Sequence, residues 1–235
     1  MTIYKKVLFS VCSAFILGGV LSSYLYAQEK SFVGETISYK IKQLGLRAGS
    51  ATLVFKGPAK IEGQEAILIL FTAHGFNFLD EEEIFVDPKT YYPILVRRNL
   101  NIFGDKEKID EFYDQKKGLV RIVNYDKDRT RERVIEKGKP LDNIYGFIYR
   151  HRKEGVLNLN EELSMQLPTQ DVTIRFEKKQ KMSVAGKVYD AIFMQGKPRN
   201  IRIWFDAGEN KIPLRIDGAV GFGSAAMIMT KYEEK

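Results

Sequence analysis

The sequence predicts a mainly β fold: a curled or spiral antiparallel sheet, barrel-like, with one short helix, preceded by a signal-peptide helix. Three observations carry this. Apolar and polar residues alternate with a period of two in several stretches. Turn-forming residues punctuate the chain at intervals of roughly 8–12 residues. One stretch alone, Leu141 to Gly155, carries helical spacing in its place.

The first residues are a different material from the rest. MTIYKK is a short basic start, Val7 to Leu21 is an uninterrupted apolar run, and SSYLYA leads to the small residue Ala27. That layout is a secretory signal peptide, with cleavage expected after Ala27 and a single β-rich domain over 28–235. The run falls short of the roughly 20 residues a spanning helix needs. Leu25 is bulky for the third position before a cut, so an uncleaved inner-membrane anchor is the alternative. Either way the chain is expected to be exported to the periplasm. The single cysteine, Cys12, lies inside this segment without a small residue before it, which argues against lipidation. The exported part then has no thiol and no disulfide, and its length suffices for a core without such staples.

The alternating stretches come next. In Thr36 to Lys42, Ile37, Tyr39 and Ile41 share one face. The run YKIKQLGLRAGSATLVF, Tyr39 to Phe55, keeps its alternation on both sides of Gly45 and Gly49, with Leu53 and Phe55 on the apolar side. Glycines inside such a run mark a bend, a bulge or close approach of another backbone. A phosphate-cradling loop would need a helix behind it, and none follows. AILILF, Ala66 to Phe71, is apolar on both faces and reads as a strand covered on both sides. Leu141 to Gly155 has Ile144, Phe147, Ile148 and His151 at helical spacing, with Asp142 as N-cap, Arg150, Arg152 and Lys153 near the C-terminal end, and Gly155 just past it. Gly146 in its middle points to close packing against another element. Further on, Val172, Ile174 and Phe176, then Ile201, Ile203 and Phe205, form two more apolar faces, with Arg202 and Trp204 opposite the second.

Chemistry is sparse in this sequence. His74 and His151 stand outside any ligand spacing. The acidic run Asp80 to Glu83 lacks a calcium-loop pattern and reads as a solvated edge. GFGS, Gly221 to Ser224, is not a nucleophile elbow. No catalytic residue, metal ligand or cofactor is therefore expected. A formal charge of +7 with acids and bases interspersed argues against nucleic-acid binding. What remains is shape. Ile37, Tyr39, Ile41, Leu53, Phe55, Ile174, Phe176, Ile201, Ile203 and Phe205 are the expected inward set. They serve either as packed core or as an apolar groove for a lipid or lipoprotein. The expected role is a non-catalytic envelope protein binding such a component, with membrane contact only through the signal segment or peripherally. The alternatives are an envelope scaffold contacting peptidoglycan or proteins through its outer surface, with Trp204 and Arg202 as the patch, and a polymer hydrolase.

Phe32 to Phe55 resembles the opening of a bacterial envelope family, the domain of unknown function numbered 3108. It shares a Gly-Glu, a Tyr-containing strand, a Leu-Gly and an Ala-Gly pair. Phe85-Val86-Asp87 leading to Tyr91-Tyr92-Pro93, the Asp142–Arg150 stretch, and IWFDAGENKIPLRIDGAVGFGS (Ile203 to Ser224) are similar to later segments of that family in the same order. The resemblance implies an exported, curled β-rich domain with no settled activity. It makes Gly34, Glu35, Tyr39, Gly45, Gly49, Trp204, Pro213 and Arg215 architectural.

Overall fold

The computed structural model describes residues 31–126, 129–154, 162–198, 201–218 and 225–234. Period-two patterning has produced strands almost throughout. They are β1 (Thr36–Gln43), β2 (Leu46–Ile61), β3 (Gln64–Gly75), β4 (Phe78–Val86), β5 (Pro93–Ile102), β6 (Asp105–Asp114), β7 (Leu119–Tyr125) and β8 (Thr130–Glu136). The helix α1 (Ile144–Glu154) follows, then β9 (Glu162–Leu167), β10 (Gln170–Val184), β11 (Lys187–Lys197), β12 (Arg202–Asp206), β13 (Pro213–Asp217) and β14 (Ala226–Glu233). One sheet runs β8-β7-β6-β5-β4-β3-β2-β1-β14-β13-β12-β11-β10-β9. It is two meanders joined by the antiparallel seam of β1 on β14.

The sheet curls without closing. Lys137, just past β8, donates from Nζ to the Leu167 carbonyl and to Asp171 Oδ1, both at 2.7 Å, which draws the two ends of the sheet together. The edge of β9 is covered: Asp142 N–H donates to the Gln166 carbonyl, and Gln166 N–H donates back to Asp142 Oδ2. The edge of β8 carries exposed Arg131, Glu132 and Arg133, charges that discourage further strand pairing.

The core follows from the alternation. Ile37, Leu53, Phe71, Ile174, Phe176, Ile203 and Phe205 all lie in one buried cluster that includes α1. Tyr145 of α1 stacks on Phe71 at 4.4 Å, and Tyr149 packs on Phe55 at 4.8 Å. Gly146 lets the helix sit close: a Cβ there would fall 2.9 Å from the Tyr91 carbonyl oxygen. AILILF is covered on both faces, because Ala66 and Leu68 join Phe85 and Leu95 in a second, outer cluster.

The glycine pair has two separate jobs. Gly45 (φ +84°) makes the β1–β2 turn. Gly49 lies beside a bulge, where the register slips between Ile41 and Lys42. A Cβ on Gly49 would be 2.2 Å from the His74 carbonyl oxygen, a backbone atom. Gly49→Ala is therefore expected to cost about 2 kcal/mol. A urea midpoint unchanged from wild type would contradict this.

Two expectations need correction. The helix is capped by Asn143 and not by Asp142: Asn143 Oδ1 accepts the Tyr145 N–H at 2.8 Å. Asp142 is buried instead, accepting from Arg150 Nη2 at 2.6 Å and from Gln166 N–H, because it must seal the β9 edge. Trp204 is no exposed patch. It lies opposite Ile203 and Phe205 as the alternation requires, but Phe193 stacks on it at 4.8 Å and the Arg215 guanidinium covers it at 4.8 Å, leaving it 9% exposed. Arg202 is held by Asp217 at 3.0 Å. The segment expected to be a signal peptide, Gly155 and Gly221 to Ser224 lie outside the described residues. Among the described residues no helix is long and apolar enough to cross a membrane.

Candidate functional site

The ten apolar residues expected to face inward do so, and they are packed. Ile37, Leu53, Ile174, Phe176, Ile201, Ile203 and Phe205 have no exposed surface, and Tyr39, Ile41 and Phe55 have at most 2%. Tyr39 also donates its hydroxyl to the Pro213 carbonyl at 2.9 Å. A surface that a water-sized sphere does not touch offers no open groove at those side chains.

Two polar groups lie within the same interior. Beside α1, Arg152 is fully buried and makes a two-pronged pair with Glu35 at 2.6 Å per contact. Glu35 also accepts from Tyr149 (2.8 Å) and Tyr232 (3.0 Å), and Arg152 donates to the Asn210 carbonyl at 3.1 Å. The neighbouring Gly34 (φ +86°) donates its N–H to the Phe55 carbonyl, and Arg215 makes a similar fork to Asp217. On the C-terminal side of the helix His151, packed at a tilt against Phe147 at 4.2 Å, is pushed down to a pKa of about 4 by burial and by Arg150, so it is neutral.

The second group gathers at the helix N-terminus. The acidic run does not behave as one solvated edge: Glu81 and Glu83 point outward, while Asp80 and Glu82 point in. Arg98 grips Asp80 at 2.6 and 2.7 Å and approaches Glu82 at 3.6 Å. Glu111, on the same inner face, accepts from Tyr113 at 2.5 Å. Burial pushes the Glu82 carboxyl up to a pKa of about 7, against the opposing pull of Arg98, and raises Glu111 as well. The Tyr145 hydroxyl, 1% exposed, has no hydrogen-bond partner among the described residues.

The outer face of the same strands holds the cleft. Register builds two cross-strand rows: Leu70, Glu83, Arg97, Asp110, and one step along, Thr72, Glu81, Asn99, Lys108. Together with Phe71 and Glu82 they line a recess of about 550 Å³. A second recess of about 470 Å³ shares Asn99 and Lys108 and extends past Lys106 and Glu107 to Tyr125. Lys108 Nζ lies 5.7 Å above the Tyr125 ring, and Asp110 Oδ1 is buried without a partner among the described residues. An acceptor, a donor and an acceptor follow Leu70 in the first row, and the second mixes both kinds of group. Among the described residues no group of side chains could hold a metal ion. His74 is apart from the cleft, bonded to Ser50 Oγ at 3.0 Å.

A family model described as "Protein of unknown function (DUF3108)" matches residues 36–230. The chain belongs to the DUF3108 family. No curated protein matches it. Among solved structures, this DUF3108 chain is similar to a β-barrel-like protein of domain of unknown function DUF1849 from Brucella abortus. The identity is 12%, the match covers 87% of this chain and 98% of that one, and the TM-score is 0.50. A Bacteroides fragilis protein described as exported, with a YmcC-like fold, matches at 7% identity, 86% and 96% coverage and a TM-score of 0.33. The first likeness bears out the barrel-like antiparallel fold. The family match bears out the resemblance read from Phe32 to Ser224.

Sequence reading missed the DUF3108 chain's buried charges and its cleft. One signal for the former was present: Phe78, Asp80, Glu82, Ile84 and Val86 share a parity, and three of the five are apolar. The cleft had no such signal, since its rows exist only once register is known.

Proposed function

We propose that the protein is an exported, non-catalytic binding protein that holds a hydroxyl-rich envelope polymer, a glycan such as peptidoglycan, in the cleft across β3–β6. The carrying observation is the pair of cross-strand rows. Glu81, Glu83 and Asp110 accept hydrogen bonds, Arg97 and Lys108 donate, and Asn99 does both. Closely spaced donors and acceptors over a shallow open floor suit a sugar, whose hydroxyls do both at short intervals. They suit an acyl chain poorly. Export is supported by the N-terminal sequence. A binding role, in place of hydrolysis, is supported by the ties of the carboxyls with raised proton affinity: Glu111 lies off the cleft lining and accepts from Tyr113, and Glu82, which reaches the lining, faces Arg98 at 3.6 Å on the inner side.

Calorimetric titration with soluble peptidoglycan fragments tests this. Binding is expected, and Arg97→Ala with Asp110→Ala should weaken it at least tenfold while leaving the melting temperature within a few degrees. Absence of binding to any hydroxyl-rich polymer would sink the reading. A stoichiometric lipid carried through native mass spectrometry would move the site to the interior and require its packed side chains to part.

A further inference from the structure

In an antiparallel meander every second turn falls at the same end, so the β1–β2, β3–β4 and β5–β6 turns share one rim. The Phe103 N–H donates to the Asn77 carbonyl at 2.7 Å, which ties the second and third of these tips together. Four large apolar residues occupy them: Leu44 (90% exposed), Leu46 (76%), Phe76 (86%) and Phe103 (74%). They are the four most exposed large hydrophobics of the described residues.

Their placement is costly twice over. Leu44 (φ 50°) and Phe103 (φ 53°) hold the left-handed position of tight hairpin turns, where asparagine, aspartate or glycine normally sits. Bulky side chains are disfavoured there, and here they are left in water as well. The equivalent positions at the opposite rim hold Glu62 (φ 50°) and Ala185 (φ 49°), neither of them large and apolar. Turn geometry alone thus does not call for leucine or phenylalanine.

The charge around the tips is one-sided. Within 42–48, 74–78 and 101–106 stand Lys42, Arg47 and Lys106 against a single acid, Asp105. Arg47 and Lys106 are exposed.

We propose that this rim is a membrane-docking surface: the four apolar tips insert into the interfacial region of an anionic lipid bilayer while Lys42, Arg47 and Lys106 meet its headgroups. Three hairpins two strands apart place each tip about 10 Å from the next along the rim, the spacing of a multi-point anchor. Each tip adds a small partition energy, and the basic residues restrict the preference to anionic surfaces. The inference is independent of what occupies the cleft.

The test reads the tips directly, in the full chain. Cys12→Ser combined with Phe76→Cys, labelled with an environment-sensitive fluorophore, is mixed with vesicles containing phosphatidylglycerol. A Val188→Cys label reports the opposite rim. The tip label is expected to shift to the blue and become shielded from iodide, while the Val188 label stays unchanged. Binding to phosphatidylcholine vesicles is expected to be at least tenfold weaker. In the same assay, with the label at Phe76, Leu44→Ser and Phe103→Ser should each weaken the response roughly tenfold. No shift at the tip, equal shifts at both rims, or a tip shift on concentrating the protein without lipid would each overturn the proposal. The last would assign the rim to contact between copies.

Discussion

Arg152→Ala is expected to destabilise the protein by about 3–5 kcal/mol, the cost of leaving a buried charge without its partner. Glu35, 2% exposed, would keep the hydroxyls of Tyr149 and Tyr232 but lose two contacts of 2.6 Å. The guanidinium also lies over the Phe32 ring at 4.5 Å, so the substitution removes packing as well as charge. Arg152→Lys should fare nearly as badly, because an ammonium cannot make the two-pronged grip. The informative comparison is the double variant Glu35→Gln with Arg152→Met, which removes both charges while keeping most of the volume. It should be more stable than Arg152→Ala alone. Urea unfolding measures all three, and a loss below about 1 kcal/mol for Arg152→Ala would show that the pair does not hold the helix in place.

Glu82→Gln is expected to shift stability in a pH-dependent way. The folded-state pKa of Glu82 is about 7 against an ordinary 4.5, so the folded protein holds this proton more tightly than the unfolded chain. Stability from this group is therefore fully present below about pH 4.5 and is lost as pH rises towards 7, then stays level. That displacement corresponds to about 3 kcal/mol. Glu111, raised by the same burial, adds a loss of the same sign. Glutamine carries no charge to desolvate, so the melting temperature of Glu82→Gln relative to wild type should rise between pH 5 and pH 8. A difference that stays constant across that range would mean that the carboxyl near Asp80, Arg98, Glu111 and Asn143 is ionised throughout.

Local pattern made much of this molecule readable before any coordinates. Strand faces such as Ile37/Tyr39/Ile41 and Ile201/Ile203/Phe205 follow from alternation alone, and the helix follows from Ile144, Phe147, Ile148 and His151. What stayed hidden depends on partners far away in the chain. Arg152 looked like a cation placed for the helix dipole, and only the fold brings Glu35, 117 residues earlier, beneath it. Trp204 was assigned the correct face, but the Phe193 and Arg215 side chains that cover it belong to neighbouring strands. The cleft is the extreme case. Glu83, Arg97 and Asp110 are unremarkable surface residues until register aligns them side by side.

The β1–β14 seam sets the order in which this protein can be completed. Every other strand pairs with its sequence neighbour, but Thr36 must wait for Glu233. A nascent chain therefore carries an unsatisfied β1 border until β14 is made, and local zippering of the two meanders cannot relieve it. Loss of β14 would expose that border permanently, which makes this strand the place where a shortened product turns from folded to aggregating.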